Sequence, residues 1–405
     1  MDSFSNCLGD FSVTRYSIGA IIRDRTRSLS VSRTQASYLK RQCFVQFLDI
    51  FEGRRDEEAT KQVRRHGFRT QGLTVGSPYC IHSAHFDKSG VLERDGPAAS
   101  APVAVRRRRI VLAILSFGVI LAFRPILRPV FVVLGLGSFG PEGRLLVRVV
   151  VELIVVCSFT YLVGRFLDRR RFADFGFHLS RSWWLDLGFG LVLGVALMTA
   201  IFFAEVAFGW VRVVGYLRTA PNVSFVGAFL LSMLLFVFVG ISEELLIRGY
   251  LLTNLAEGFR WFRWVSADAA VAAATLCSSV VFGVLHVFNP NATLTSTLVA
   301  VLAGVMLASG YVLTGELGIS IGLHISWNFF QTSVYGFSVS GLRLPVTLVA
   351  TRQVGPRVVT GGPFGPEAGL VGVAAICLGV AAIVWWVRLR GTDGAISSVS
   401  TPELR

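Results

Sequence analysis

Two adjacent carboxylates, Glu243 and Glu244, stand inside an apolar run that begins near Phe225, in the stretch Gly240-Ile241-Ser242-Glu243-Glu244-Leu245-Leu246-Ile247-Arg248-Gly249-Tyr250. A charged side chain at the centre of a membrane helix costs about 2.5 to 3.5 kcal/mol, so three such charges cost roughly 8 to 10 kcal/mol before any pairing. On a helix Glu244 and Arg248 are four residues apart and pair along one face. Glu243, about 100° round the helix, is left without an intrahelical cation and needs a partner from another helix. Two later apolar stretches offer one: Phe282-Gly283-Val284-Leu285-His286 and His324-Ile325-Ser326-Trp327-Asn328, each with its end residues on one helix face. Three helices then each turn a short polar face toward a common point. Hydrolysis of a peptide bond needs a base for water and donors for the developing oxyanion, and both work better where bulk water is excluded. A carboxylate, two imidazoles and an amide supply both.

Each of these residues also has a plainer reading. Glu244 and Arg248 read first as a buried structural ion pair. Glu243, with no structural partner evident, reads as functional, and burial against the nearby Arg248 cation is a means of tuning it as a base. A lone histidine on a membrane helix is usually an interhelical hydrogen bonder. His286 and His324 together with the carboxylates and an amide favour a site. Asn328 reads equally as helix glue or as an amide donor, Phe282 reads as packing, and Trp327 receives no role.

The elements that must position these groups are membrane helices. The chain has 405 residues, 53% of them hydrophobic and only 16% charged, and its mean hydropathy is +0.61, which excludes an ordinary soluble protein. Apolar runs fall near 110–136, 145–164, 185–209, 225–254, 268–287, 297–314, 318–337 and 369–387. The fold class expected is therefore all-α, a polytopic bundle of about eight transmembrane helices. The net charge of +14 comes overwhelmingly from Arg, and in such a chain it marks cytoplasmic flanks and anionic lipid headgroups as partners, not nucleic acid. With Arg106-Arg107-Arg108-Arg109 inside and eight crossings, the linkers 165–184 and 255–267 and the C-terminal tail all fall on the cytoplasmic side, as do both termini. Trp183 and Trp184 are expected as interfacial belt residues. A turn at Gly258 to Trp264 brings Glu243 and His286 to similar depth. His324 lies only about 10 Å from the start of its helix at 1.5 Å per residue, so a re-entrant loop or unequal helix starts are needed to match it. The Gly- and Pro-rich segment 338–369 is expected to connect helices, capping the site being the second option.

Residues 1–108 are polar and Arg-rich without sustained period and are expected to be a poorly ordered tail. Residues 109–390 form the membrane domain and 391–405 a short cytoplasmic tail. Cys80, His82 and His85 lack a second half-site and read as an accidental cluster. The six cysteines contain no C-x-x-C, so a disulfide framework is not expected.

In order and on successive membrane helices, Glu243-Glu244-x-x-x-Arg248, Phe282-x-x-x-His286 and His324-x-x-x-Asn328 resemble the three signature motifs of the CPBP family, the CAAX-protease and bacteriocin-processing (Abi) intramembrane endopeptidases. The segment Gly361-Gly362-Pro363-Phe364-Gly365-Pro366-Glu367 also resembles one found in many bacterial members. The resemblance spans about 110–390. It implies that Glu243 and His286 activate water, that His324 and Asn328 stabilise the oxyanion, and that Glu244 and Arg248 support the first helix. A membrane-associated peptide or protein is then the substrate and the cell membrane the location; the family is often labelled metalloprotease, yet the resemblance also fits a metal-free glutamate mechanism, and no cofactor is expected. The preference for Arg over Lys fits a GC-rich bacterium, where prenylated substrates are not expected. Two alternatives stand beside this reading: a zinc site of Glu243, His286 and His324, against which there is no H-E-x-x-H, and a non-enzymatic scaffold or transport component, to which Glu152 and Glu205 lend support.

Overall fold

The computed structural model describes residues 84–86, 92–94, 109, 111, 114, 118, 141–262 and 264–391. The chain divides between Ser100 and Ala101. In the first part β1 (Ala84–Phe86) pairs antiparallel with β2 (Leu92–Arg94). Otherwise the expected disorder of 1–108 concerns residues outside those described, as do Cys80 and His82.

The second part is mostly helical. Its long helices are α1 (Pro141–Val163), α2 (Arg181–Ala207), α3 (Phe225–Phe259), α4 (Ala267–Leu285), α5 (Leu294–Thr314), α6 (Gly318–Phe329) and α7 (Leu370–Arg390). Several start where the sequence places a hydroxyl N-cap. Ser180, Ser224, Ser266 and Thr293 each accept a hydrogen bond from a backbone N–H in the first turn of α2, α3, α4 and α5. The α5 helix ends at Gly315, whose φ of 72° is a left-handed closure that glycine adopts without a Cβ penalty.

Six helices among the described residues are long and apolar enough to cross a bilayer, and the chain is a multi-pass membrane protein. The expected count of eight is not reproduced. The 110–136 run lies almost wholly outside the described residues. The 318–337 run is a correction: it forms α6 and one π turn, Phe330–Val334, and the 12 residues of α6 span about 18 Å against a hydrocarbon core of about 30 Å. α6 is instead a central helix, buried on nearly all sides, as expected of a helix that is apolar all round. Its closest neighbour is α2. Gly190 and Gly194 of α2 and Gly318 and Gly322 of α6 all lie at the crossing, so tightly that a Cβ on Gly190 would collide with Ile319 O, and one on Gly322 with Leu187 O. Small residues four apart on both helices permit this approach.

The segments between helices also depart from expectation. Trp183 is buried and donates from Nε1 to Gly176 O at 2.9 Å, so it is a core residue and not a belt residue, while Trp184 is exposed. Within 338–369, β4 (Thr347–Gln353) pairs antiparallel with β3 (Val211–Arg218), with Val211 opposite Gln353 and a register shift between Val213 and Gly215. The segment is thus more than a connector, and among the described residues there are two small two-stranded sheets that an all-α reading omits. Cys157, Cys277 and Cys377 are free.

Candidate active site

The α3 helix changes pitch immediately after the paired carboxylates: Leu245–Leu252 is a π turn, entirely buried. Such turns widen a helix locally and concentrate at functional sites. Glu244 and Arg248 nonetheless pair as their spacing predicts, with Arg248 Nη1 donating to Glu244 Oε1 at 2.7 Å. Both side chains are wholly buried. Arg248 Nη2 donates to Gly304 O of α5 at 3.2 Å, and the guanidinium carbon lies 4.5 Å from the centre of the Phe282 ring. One cation therefore joins three helices, and it does so with hydrogen bonds and an aromatic face that offset its desolvation.

The two imidazoles are held by different means. His324 on α6 places Nδ1 2.7 Å from Glu244 Oε1. An ionised carboxylate only accepts, so Nδ1 carries the proton and donates it. Nε2 of the same ring then points at Glu243 Oε2, 3.9 Å away, a gap wider than a direct hydrogen bond. His286, just past the end of α4, has Nδ1 2.7 Å from Phe282 O. A carbonyl only accepts, so this Nδ1 donates too and Nε2 is left for the cavity. Phe282 packs against both rings, with centroids 4.6 Å from His286 and 6.1 Å from His324. It is packing, as expected, but packing that fixes both imidazoles and the guanidinium at once.

Several of these groups open on one cavity of about 750 Å³. Glu243, His286, His324 and Asn328 line it together, as do Phe282 and Trp327. Glu244 and Arg248 do not, and lie behind His324 in the wall. Glu243 is about a quarter exposed, whereas Glu244 has no exposure, which separates the cavity-facing carboxylate from the buried one. Glu152 of α1 also lines the cavity, while Glu205 is buried elsewhere, accepting from Gln353 Nε2 at 3.3 Å.

Among the polar cavity residues, Asn289, Ser296, Ser340 and Glu367 carried no signal in helical spacing. Val339, Leu342, Leu344 and Phe364 join them, so the 338–369 segment covers the site and the connector reading is corrected. Glu367 lies within the Gly- and Pro-rich motif noted in the sequence, and that motif was its available clue. Among the described residues, no three His, Cys, Asp or Glu side chains are grouped closely enough to hold a metal ion.

Residues 224–330 match the model of the Rce1-like type II CAAX prenyl endopeptidase family. The matched stretch runs from the N-cap of α3 to just beyond α6 and contains all six candidate residues, from Glu243 to Asn328. It agrees with the CPBP resemblance of the three motifs, and the description is that of a hydrolase acting on peptide bonds in a membrane setting. No curated protein and no solved structure matches the chain.

Proposed function

We propose that this chain is an intramembrane endopeptidase that hydrolyses a peptide bond of a membrane-associated protein or peptide. The observation that carries the reading is the single cavity, inside a bundle of apolar helices, on which Glu243, His286, His324 and Asn328 all open. In this reading Glu243 takes a proton from the attacking water, with His286 orienting that water. His324 and the Asn328 amide face the carbonyl and donate to the oxyanion that forms. With Nδ1 committed to Glu244, His324 can donate from Nε2 when protonated, and the Glu244 carboxylate stabilises that cationic ring. Glu244 and Arg248 thus act through His324. Residues 109–390 constitute the catalytic domain and 391–405 a tail, with both termini on the cytoplasmic face of the cell membrane.

Purified protein in detergent, offered a fluorogenic peptide of apolar sequence, tests the reading. Cleavage is expected to fall by about 10²- to 10⁴-fold in Glu243→Ala, the range for loss of a general base. Chelators are expected to leave the wild-type rate unchanged. Cleavage that survives Glu243→Ala defeats the proposal.

A further inference from the structure

The β3–β4 sheet and its flanks are cationic without compensation. From Phe208 to Ser224 and from Ser338 to Thr360 the chain carries five arginines and not one aspartate or glutamate. Arg212, Arg218, Arg352 and Arg357 are exposed. Among the described residues none of these four forms an ion pair, whereas Arg109, Arg170, Arg248 and Arg390 all do. Arg212 and Arg352 are moreover direct partners in the strand register. Like charges set opposite one another on an antiparallel pair repel, and no carboxylate of the protein relieves them.

One face of the sheet is tied down. Thr351 Oγ1 donates to Tyr335 O at 2.8 Å, Gln353 Nε2 to Glu205 Oε2 at 3.3 Å, and Val354 N–H to Trp210 O at 2.8 Å. Arg212 and Arg352, which alternate with the buried Val211 and Thr351, turn the other way. Large apolar side chains accompany the arginines: Phe208, Tyr216, Leu217 and Val358 are each more than half exposed. This apolar surface continues that of the membrane helices. Phe203 and Val206 near the end of α2 lead into Phe208, and Val358 leads on to Leu370 at the start of α7, all of them exposed. An exposed apolar surface of this kind marks a membrane or a partner, and its continuity with the lipid-facing helices favours the bilayer over a soluble acidic protein. Rings and aliphatic side chains interleaved with arginine suit the headgroup level, where apolar groups reach the acyl boundary and guanidinium forks bind phosphate.

We propose that the outer face of the β3–β4 sheet is a docking surface for the anionic headgroups of the bilayer. Lipid phosphates neutralise Arg212 and Arg352 and remove their mutual repulsion, while Phe208, Tyr216 and Leu217 insert beside them. β4 belongs to the same 338–369 segment that brings Ser340 and Glu367 to the cavity wall, so docking ties the cover of the cavity to the lipid surface. The proposal goes beyond the endopeptidase reading and does not depend on it, since it requires no chemistry at the site.

The full chain in lipid nanodiscs, which leave both faces of the bilayer open to water, tests this. A fluorophore is attached at Leu217→Cys or Leu348→Cys with the native cysteines replaced by alanine. In phosphatidylglycerol nanodiscs it is expected to be quenched by brominated lipid and shielded from acrylamide. In phosphatidylcholine nanodiscs, or at high salt, acrylamide access should rise. Arg212→Gln and Arg352→Gln should each lower the ratio of docked to undocked sheet by about fivefold, the scale of one basic residue near an anionic surface. Full acrylamide access in every composition gives the surface to water or to a soluble partner and overturns the proposal. Quenching by brominated lipid that ignores lipid charge, salt and both arginines overturns the assignment to anionic headgroups. Hydrogen–deuterium exchange on the unmodified chain decides the matter even where the labelled variants do not fold. The amides of 211–218 should exchange more slowly in phosphatidylglycerol than in phosphatidylcholine, and equal rates would refute the docking.

Discussion

Arg248 offers the most direct test of how the site is built, because its charge has no access to solvent and its partners are all named. The side chain is fully buried beside an equally buried Glu244, and it also bonds Gly304 O and faces the Phe282 ring. Solvent screening, which reduces surface pairs to about 0–1 kcal/mol, does not operate here. In Arg248→Met the Glu244 carboxylate remains buried with only His324 to balance it. Removal of one partner from such a pair costs about 3–5 kcal/mol, mostly the uncompensated charge left behind. At about 2–4 °C per kcal/mol for a chain of this size, the midpoint should fall by roughly 10 °C. The double variant Glu244→Gln with Arg248→Met has no orphaned charge and keeps an acceptor oxygen for His324 Nδ1, so it should recover most of the loss. It should not recover cleavage, since the charge that stabilises a protonated His324 is gone. Thermal unfolding followed by tryptophan fluorescence in detergent reads both. If the single variant unfolds within about 2 °C of wild type, or the double variant is no better than the single, the buried-pair argument is wrong.

Two further outcomes follow from the packing and the cap. Gly322→Ala should destabilise, although Ala is the better helix former by about 1 kcal/mol: the added Cβ meets Leu187 O at the crossing with α2, and overpacking of this kind costs about 1–3 kcal/mol. A rise in the unfolding midpoint would show that the two helices are not in contact there. Burial also raises the Glu367 carboxyl above its ordinary range, so the folded state binds its proton more tightly than the unfolded chain does. Stability contributed by this group is then greatest at low pH and falls as pH rises from about 4.5, the ordinary range for glutamate. A series of unfolding midpoints against pH should show this decline in the wild type and lack it in Glu367→Gln.

What the sequence makes legible here is what the 3.6-residue period controls. Glu244 with Arg248, and Phe282 with His286, are fixed as neighbours by spacing alone, and both are found together. The period says nothing about which imidazole turns toward which carboxylate. Spacing groups His324 with Asn328, yet its Nδ1 belongs to Glu244 across the interface, a contact between residues 80 apart in the chain. Nor does an apolar run reveal whether lipid or protein surrounds it. The 318–337 run is as apolar as its neighbours, but α6 is enclosed by protein, and the visible sign was the pair of glycine spacings, Gly190 with Gly194 and Gly318 with Gly322. The cap was hidden for a related reason: β3 and β4 pair across more than a hundred residues, and the segment that brings Ser340 and Glu367 to the cavity wall has no helical period to announce it.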